Sequence, residues 1–246
     1  MKTLVQISDC HLFADKHKVG YQQIKPYFSL AAVLEEVVCH DPDMILVTGD
    51  ISADGSEQSY LDFLALITRF ELLDKLQVIA GNHDNSLWFD RVLGEFDLAT
   101  QSAKELENWS VHGVDTRHKG TLGQLSNSQL NKLKLGLQDC QSAFQLVACH
   151  HHPFACGGWM DKHEWLNRQE FTDIITQYTS VKAVVYGHIH SQQVFQKSGH
   201  MFASCPSTCW QWSTQPEFAT DPSKPGYNKI LLDSTGDFEI TTHRLK

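Results

Sequence analysis

The chain lacks any apolar run approaching the roughly 20 residues that cross a bilayer, because charge or Gly interrupts its longest candidates within about ten residues. The N-terminus has no export-signal form, since Met1-Lys2-Thr3-Leu4-Val5-Gln6-Ile7 runs directly into a strand pattern. Both absences predict a cytoplasmic protein with no membrane partner. Cationic excess is missing too: 20 Lys and Arg against 29 Asp and Glu leave a formal charge of −9. That balance disfavours a nucleic-acid partner, yet it leaves room for a small anionic substrate beside a bound cation. The seven cysteines are odd in number and form no C-x-x-C pair. Neither a disulfide framework nor a zinc ribbon is therefore expected, and most of these cysteines read as small buried hydrophobes. Repeats, low-complexity tracts and Pro/Gly-rich linkers are absent. The 246 residues read as a single layered α/β domain over 1–246.

Against that background stands an alternation of strand and helix patterns in which five apolar runs end in polar islands. Leu4 to Ser8 exits into Asp9-Cys10-His11, Met44 to Thr48 into Gly49-Asp50, and Leu76 to Ala80 into Gly81-Asn82-His83-Asp84. Phe144 to Cys149 exits into His150-His151-His152-Pro153, and Val181 to Tyr186 into Gly187-His188-Ile189-His190. Helical spacing follows Ser29, Ser56 and a Ser126-x-x-Gln129 capping box, and recurs from Trp165 to Tyr178. Short strand patterns around Val194, Phe202, Ile230 and Ile240 predict an antiparallel sheet packed beside the first.

Residues at the carboxyl ends of strands project into a shared crevice, so islands far apart in sequence can converge there. Asp9 and His11 are two apart, as are His188 and His190, a spacing that puts both side chains of each pair on one side of an extended chain. Gly49, Gly81 and Gly187 free the backbone where it must turn to bring a ligand in. Carboxylates, imidazoles and an amide without thiolate favour Mn, Fe, Zn or Co over a structural zinc. Seven candidate ligands exceed the needs of one ion. Sharing Asp50 would allow two ions roughly 3.5–4 Å apart, with a bridging hydroxide as nucleophile. His17, His40, His112, His118, His163, His200 and His243 have no such setting and are assigned to surface or packing.

The ordered series D-x-H, G-D, G-N-H-D, H and G-H-x-H resembles that of the calcineurin-like metallophosphoesterases. The resemblance implies a two-layer sandwich of mixed β-sheets flanked by α-helices. It also implies one metal on Asp9, His11, Asp50 and His190, and a second on Asp50, Asn82, His188 and one histidine of the triplet. The family histidine commonly stands two before a Pro, which favours His151, with His150 as the alternative. By the same resemblance His83 contacts phosphate and gives a proton to the leaving oxygen, Asp84 orients His83, and Asn82 and His190 also contact substrate.

Ser8 to Phe13, Pro206 to Gln211, Pro225-Gly226-Tyr227 and Thr242 to Leu245 further resemble the bacterial class III 3′,5′-cyclic-AMP phosphodiesterases of the CpdA type. The implied activity is hydrolysis of 3′,5′-cyclic AMP to 5′-AMP on an Fe- or Mn-containing pair of ions, with Trp210 or Tyr227 facing the base. The alternatives are a metallophosphoesterase for another diester or a monoester, and a metal-binding interaction protein without catalysis.

Overall fold

The computed structural model describes residues 1–246. In chain order the first half holds β1 (Lys2–Ile7), α1 (Pro26–Val37), β2 (Met44–Thr48), α2 (Glu57–Arg69), β3 (Leu76–Ile79), α3 (Leu87–Leu93), β4 (Lys104–Leu106) and β5 (Trp109–Gly113). There follow α4 (Asn127–Asp139), β6 (Phe144–Ala148), α5 (Arg168–Ile175), β7 (Val181–Tyr186), β8 (Val194–Lys197) and β9 (His200–Ser204). The chain closes with β10 (Gln211–Trp212), β11 (Thr220–Asp221), β12 (Gly226–Leu232) and β13 (Phe238–Arg244).

Two mixed sheets form, ordered β13-β12-β1-β2-β3 and β4-β5-β6-β7-β9-β8. Pairing is parallel through β1-β2-β3, with β3 at the edge of the first sheet, and through β5-β6-β7-β9; the pairs β13-β12, β12-β1, β4-β5 and β9-β8 are antiparallel. Strands covered on both faces read as continuous apolar runs, which is why β2 is buried at every residue. Alternation still sorts its side chains: Met44 and Leu46 point between the sheets with Val111, Leu146 and Val185, while Ile45 and Val47 pack outward. That outer face is covered through Leu30, Phe63 and Phe89, which lie on α1, α2 and α3. On the far side Val147, Val184 and Phe202 meet Leu133 of α4 and Phe171 of α5. The result is the expected sandwich, helix-sheet-sheet-helix.

One polar link crosses the apolar interlayer beneath the islands. Gln6 Nε2 donates to Thr48 Oγ1 at 3.0 Å and to the Tyr186 carbonyl of the second sheet at 3.1 Å, and Gln6 Oε1 accepts from Asn228 Nδ2 at 3.0 Å. It holds β1 and β7 in fixed relation just before their exits.

Three expectations need correction. The strands predicted around Val194, Phe202, Ile230 and Ile240 do not make a separate antiparallel sheet: β9 extends the second sheet parallel to β7, β12 pairs with β1 in the first with β13 at its edge, and only the two-residue strands β10 and β11 pair by themselves. Free edges of existing sheets take up short strands more readily than isolated pairs form new ones. Ser29 is not a cap, because Pro26 opens α1 one turn earlier with its fixed φ, and the Ser29 hydroxyl donates to the Thr208 carbonyl. The last helix is also shorter than its spacing suggests, ending at Ile175. Ser56 and Ser126 do cap α2 and α4. No helix is long and apolar enough to cross a membrane.

Candidate metal centre

The five islands converge from the ends of β1, β2 and β3 in one sheet and β6 and β7 in the other. Asp9 Oδ1 lies 3.3 Å from His190 Nε2, and His190 Nε2 lies 3.0 Å from His11 Nε2. A second group forms where His150 Nε2 sits 3.2 Å from both His188 Nδ1 and Asn82 Oδ1. Between them stands Asp50, whose Oδ2 is 3.8 Å from His11 Nε2 and 3.4 Å from His150 Nε2. Its Oδ1 accepts the His83 backbone N–H at 2.8 Å, which leaves Oδ2 facing both groups.

Ring orientation is set from behind by backbone carbonyls. His190 Nδ1 donates to the Trp210 carbonyl at 2.8 Å, His150 Nδ1 to Thr48 at 2.7 Å, and His188 Nε2 to His163 at 3.0 Å. Each bond assigns the tautomer and turns the opposite nitrogen, with its lone pair, into the cluster. Lone pairs and carboxylates then face one another at about 3 Å, an arrangement that calls for cations. Burial disfavours a charged His150, yet the Asp50 carboxylate outweighs it and pushes the imidazole up to about 9, so a bound cation would take the place of a proton on Nε2 while Nδ1 keeps its own on the Thr48 carbonyl. Burial likewise opposes ionised Asp50, but His150 and its neighbours hold that carboxyl well below the usual range. Burial drives His11 down to about 3, and burial with the adjacent His151 and His150 holds His188 well below its ordinary value. The donor chemistry fits two divalent ions sharing Asp50.

The backbone is strained to achieve this. Asp9, His11, Asp50, His188 and His190 hold φ between 44° and 68°, a left-handed region uncommon for non-glycine residues and entered most readily by Asn, Asp and His. Gly49, at φ 93°, passes so close to the site that a Cβ would lie 2.5 Å from His150 Nδ1. A Cβ on Gly187 would overlap Ser8 Oγ.

The segment Pro206 to Gln211 braces this strained turn from beneath. Ser207 Oγ donates to the Asp9 carbonyl at 2.8 Å, Thr208 N–H to Ser8 at 3.0 Å, and Trp210 supplies the carbonyl that orients His190.

The structure redistributes four residues. His151 is outside the donor groups: its Nδ1 pairs with Thr116 Oγ1 at 2.7 Å and its Nε2 with the Thr121 carbonyl at 3.2 Å, so His150 supplies the triplet's inward nitrogen. Asp84, expected to orient His83, makes no hydrogen bond to the His83 ring. Its carboxylate accepts from the backbone N–H groups of Gly81, Ile51 and Ser52 and from the Tyr60 hydroxyl, clamping the Asp50 and Asn82 turns together. Burial and the Asp50 charge push its carboxyl up to about 6. Trp210 is buried, stacked on His11 at 5.3 Å and 18°, and unavailable to a base. Tyr227 is buried elsewhere, bonded to His40 at 2.8 Å and stacked on His243. Of the cysteines, Cys10, Cys149, Cys205 and Cys209 are buried, Cys140 and Cys156 are partly so, and Cys39 is exposed.

A cleft of about 170 Å³ opens over the centre, lined by donor residues on one side and by Thr121, Trp159, Met160, His163 and Trp212 on the other. His83 is exposed within it, its ring 4.9 Å from that of His11. His163, assigned to surface or packing, is a wall of the cleft and carries the carbonyl that orients His188. No side-chain pattern could announce a role played by a carbonyl. Trp159 lies in a Gly-Gly-Trp loop whose composition was the one available signal.

Comparison with known proteins extends this geometry. The family model described as calcineurin-like phosphoesterase matches residues 2–192. The chain is 34% identical over 247 residues to the 3′,5′-cyclic adenosine monophosphate phosphodiesterase CpdA of Pseudomonas aeruginosa, covering 98% of this chain and 89% of that protein. It is 32% identical over 253 residues to the protein of the same name from Haemophilus influenzae, covering 99% and 90%. Among solved structures, a dimetal phosphatase from Danio rerio superposes with a TM-score of 0.70 at 14% identity, covering 93% of this chain and 92% of that one.

Proposed function

The chain belongs to the calcineurin-like phosphoesterase family, and from that premise we propose that it is a metal-dependent phosphodiesterase that opens the cyclic phosphodiester of 3′,5′-cyclic AMP to give 5′-AMP. One observation carries the metal-dependent hydrolysis: Asp50 Oδ2 stands between two clusters of inward-facing donors. The nucleotide substrate is supported by the near full-length likeness to relatives named as cyclic-AMP phosphodiesterases.

Asp9, His11, Asp50 and His190 would hold one ion, and Asp50, Asn82, His150 and His188 the other. Iron, manganese, zinc and cobalt all suit this nitrogen and oxygen set, and the family resemblance is what favours iron and manganese. When bound, the ions supply Lewis-acid neutralisation of the phosphoryl charge and a water acidic enough to attack at neutral pH. The chain supplies the rest. Asn82 turns its Oδ1 toward His150, and its Nδ2, which has no partner within the chain, donates to a phosphoryl oxygen. His190, proposed from the sequence as a phosphate contact, borders the same cleft but would act through the ion it holds, since its Nδ1 is bonded to the Trp210 carbonyl and its Nε2 faces the donor cluster. His83 gives a proton to the 3′-oxygen as the P–O3′ bond breaks, so the ribose hydroxyl leaves neutral while attack forms the new P–O bond. Its backbone N–H to Asp50 fixes where its ring begins.

A substrate panel with Mn- or Fe-loaded protein tests the reading. It should compare 3′,5′-cyclic AMP, 3′,5′-cyclic GMP, a 2′,3′-cyclic nucleotide, an aryl phosphodiester and a phosphomonoester. Cyclic AMP is expected to be hydrolysed faster than the monoester. Turnover of the monoester alone would overturn the assignment.

A further inference from the structure

We infer that Trp159 is the platform on which the site receives the flat base of its nucleotide, an inference that rests on the phosphodiesterase reading above. Trp159 belongs to an aromatic group drawn from three separate segments, with Tyr21 from one and Trp212 and Phe218 from another. Within this group only Trp159 and Trp212 line the cleft that also contains His11, Asp50, Asn82 and His83. Trp212 already lies stacked on His190, with ring centroids 5.0 Å apart and planes at 24°. Trp159 meets its aromatic neighbours edge-on, Trp212 at 78°, Phe218 at 77° and His163 at 88°. No ring lies parallel to it, and its half-buried side chain borders the cleft, where a base could take the stacked position.

A platform must also be fixed relative to the reacting phosphorus, and the loop carrying Trp159 is tied at three points. At its start, the Asp161 carboxylate accepts the N–H groups of Cys156 at 2.7 Å and Gly157 at 3.0 Å. At its tip, Trp159 N–H donates to the Gln215 carbonyl at 2.9 Å, and Gly158 packs so tightly that a Cβ would lie 2.9 Å from the Thr214 backbone. At its end, the His163 carbonyl accepts from His188 Nε2, one of the rings facing the metal site. The loop that presents the indole thus also orients a metal-facing imidazole, which sets the distance between base and phosphate.

Calorimetric titration of Mn-loaded protein with 5′-AMP and with ribose 5-phosphate measures what the base adds. Wild type should prefer 5′-AMP by about tenfold to a hundredfold, the range of one base–aromatic stack. Trp159→Leu, which keeps apolar bulk without a ring, should collapse that preference, and Trp159→Phe should retain most of it. Metal content and unfolding temperature establish that each variant is folded. A preference preserved in Trp159→Leu would overturn the platform while leaving the proposed reaction standing. Loss of the preference in Trp159→Leu, in a protein that fails to hydrolyse cyclic AMP, would uphold the platform and remove the reaction.

Discussion

The Asp50 carboxylate lies 3.4 Å from His150 Nε2, and each group is held there by the backbone of another strand end: Asp50 by the His83 N–H, His150 by the Thr48 carbonyl. Neither side chain can turn away without losing a buried hydrogen bond. A cation placed against Asp50 Oδ2 therefore meets an imidazole whose proton has already been assigned to the opposite nitrogen.

The first prediction separates the triplet's neighbours. His150→Ala should retain about one metal ion per chain where wild type retains two, because it deletes the inward nitrogen of the second group. His151→Ala should keep both, since that ring bonds Thr116 and Thr121. Elemental analysis of the folded fraction checks this, and loss of metal from His151→Ala alone would restore the other assignment.

His83→Ala should leave metal content unchanged while lowering turnover of cyclic AMP by roughly 10²–10⁴-fold, the usual contribution of one acid–base group. A substrate whose leaving oxygen needs no proton, such as an aryl diester, should suffer less. Equal losses on both substrates would assign His83 to phosphate binding instead.

Asp97 offers a pH test away from the metal centre. Burial pushes its carboxyl from the ordinary 3.8 up to about 6, and its Oδ1 accepts only the Ala99 N–H. Because the folded state then binds the proton more tightly than the unfolded state, stability falls as pH rises from about 4 to about 6, and the full penalty persists above that. Asp97→Asn keeps the acceptor and removes the charge. Its unfolding free energy should exceed that of wild type by roughly 1 to 3 kcal/mol at neutral pH, with the gap closing below pH 4. Denaturant melts across that window measure the difference between the two profiles.

Much of this architecture was legible because continuous apolar runs ending in Gly-Asp, Gly-Asn-His and Gly-His report both a parallel sheet and the polar residues at its rim. What could not be read depends on direction. His150 and His151 differ by one residue, and only the turn after β6 decides which ring faces inward; the spacing to Pro153 carries no such information. The left-handed φ at five of the donor residues is equally invisible, since nothing in Asp9 or His190 by name distinguishes a strained turn from an ordinary one. Membership of β9 in one sheet and β12 in the other likewise rests on edge availability, not on any local pattern.

Asp84 supplies the last prediction. Its two oxygens gather donors from both the Asp50 turn and the Asn82 turn, namely Ile51, Ser52 and Gly81 N–H groups together with the Tyr60 hydroxyl. An ionised carboxylate accepts at both oxygens, whereas an amide of the same size accepts at one and directs N–H groups at donors from the other position. Asp84→Asn should therefore leave at least one buried N–H unpaired and let the two turns separate. Metal affinity should fall about 10–100-fold, the usual effect of losing a group that orients ligands. If Asp84 acted by orienting His83, Asp84→Asn would instead lower turnover with metal affinity unchanged. Competition against a fluorescent chelator distinguishes the two; the Asp84 carboxylate bonds the loops that carry Asp50 and Asn82 and makes no bond to the His83 ring, which favours the loss of affinity.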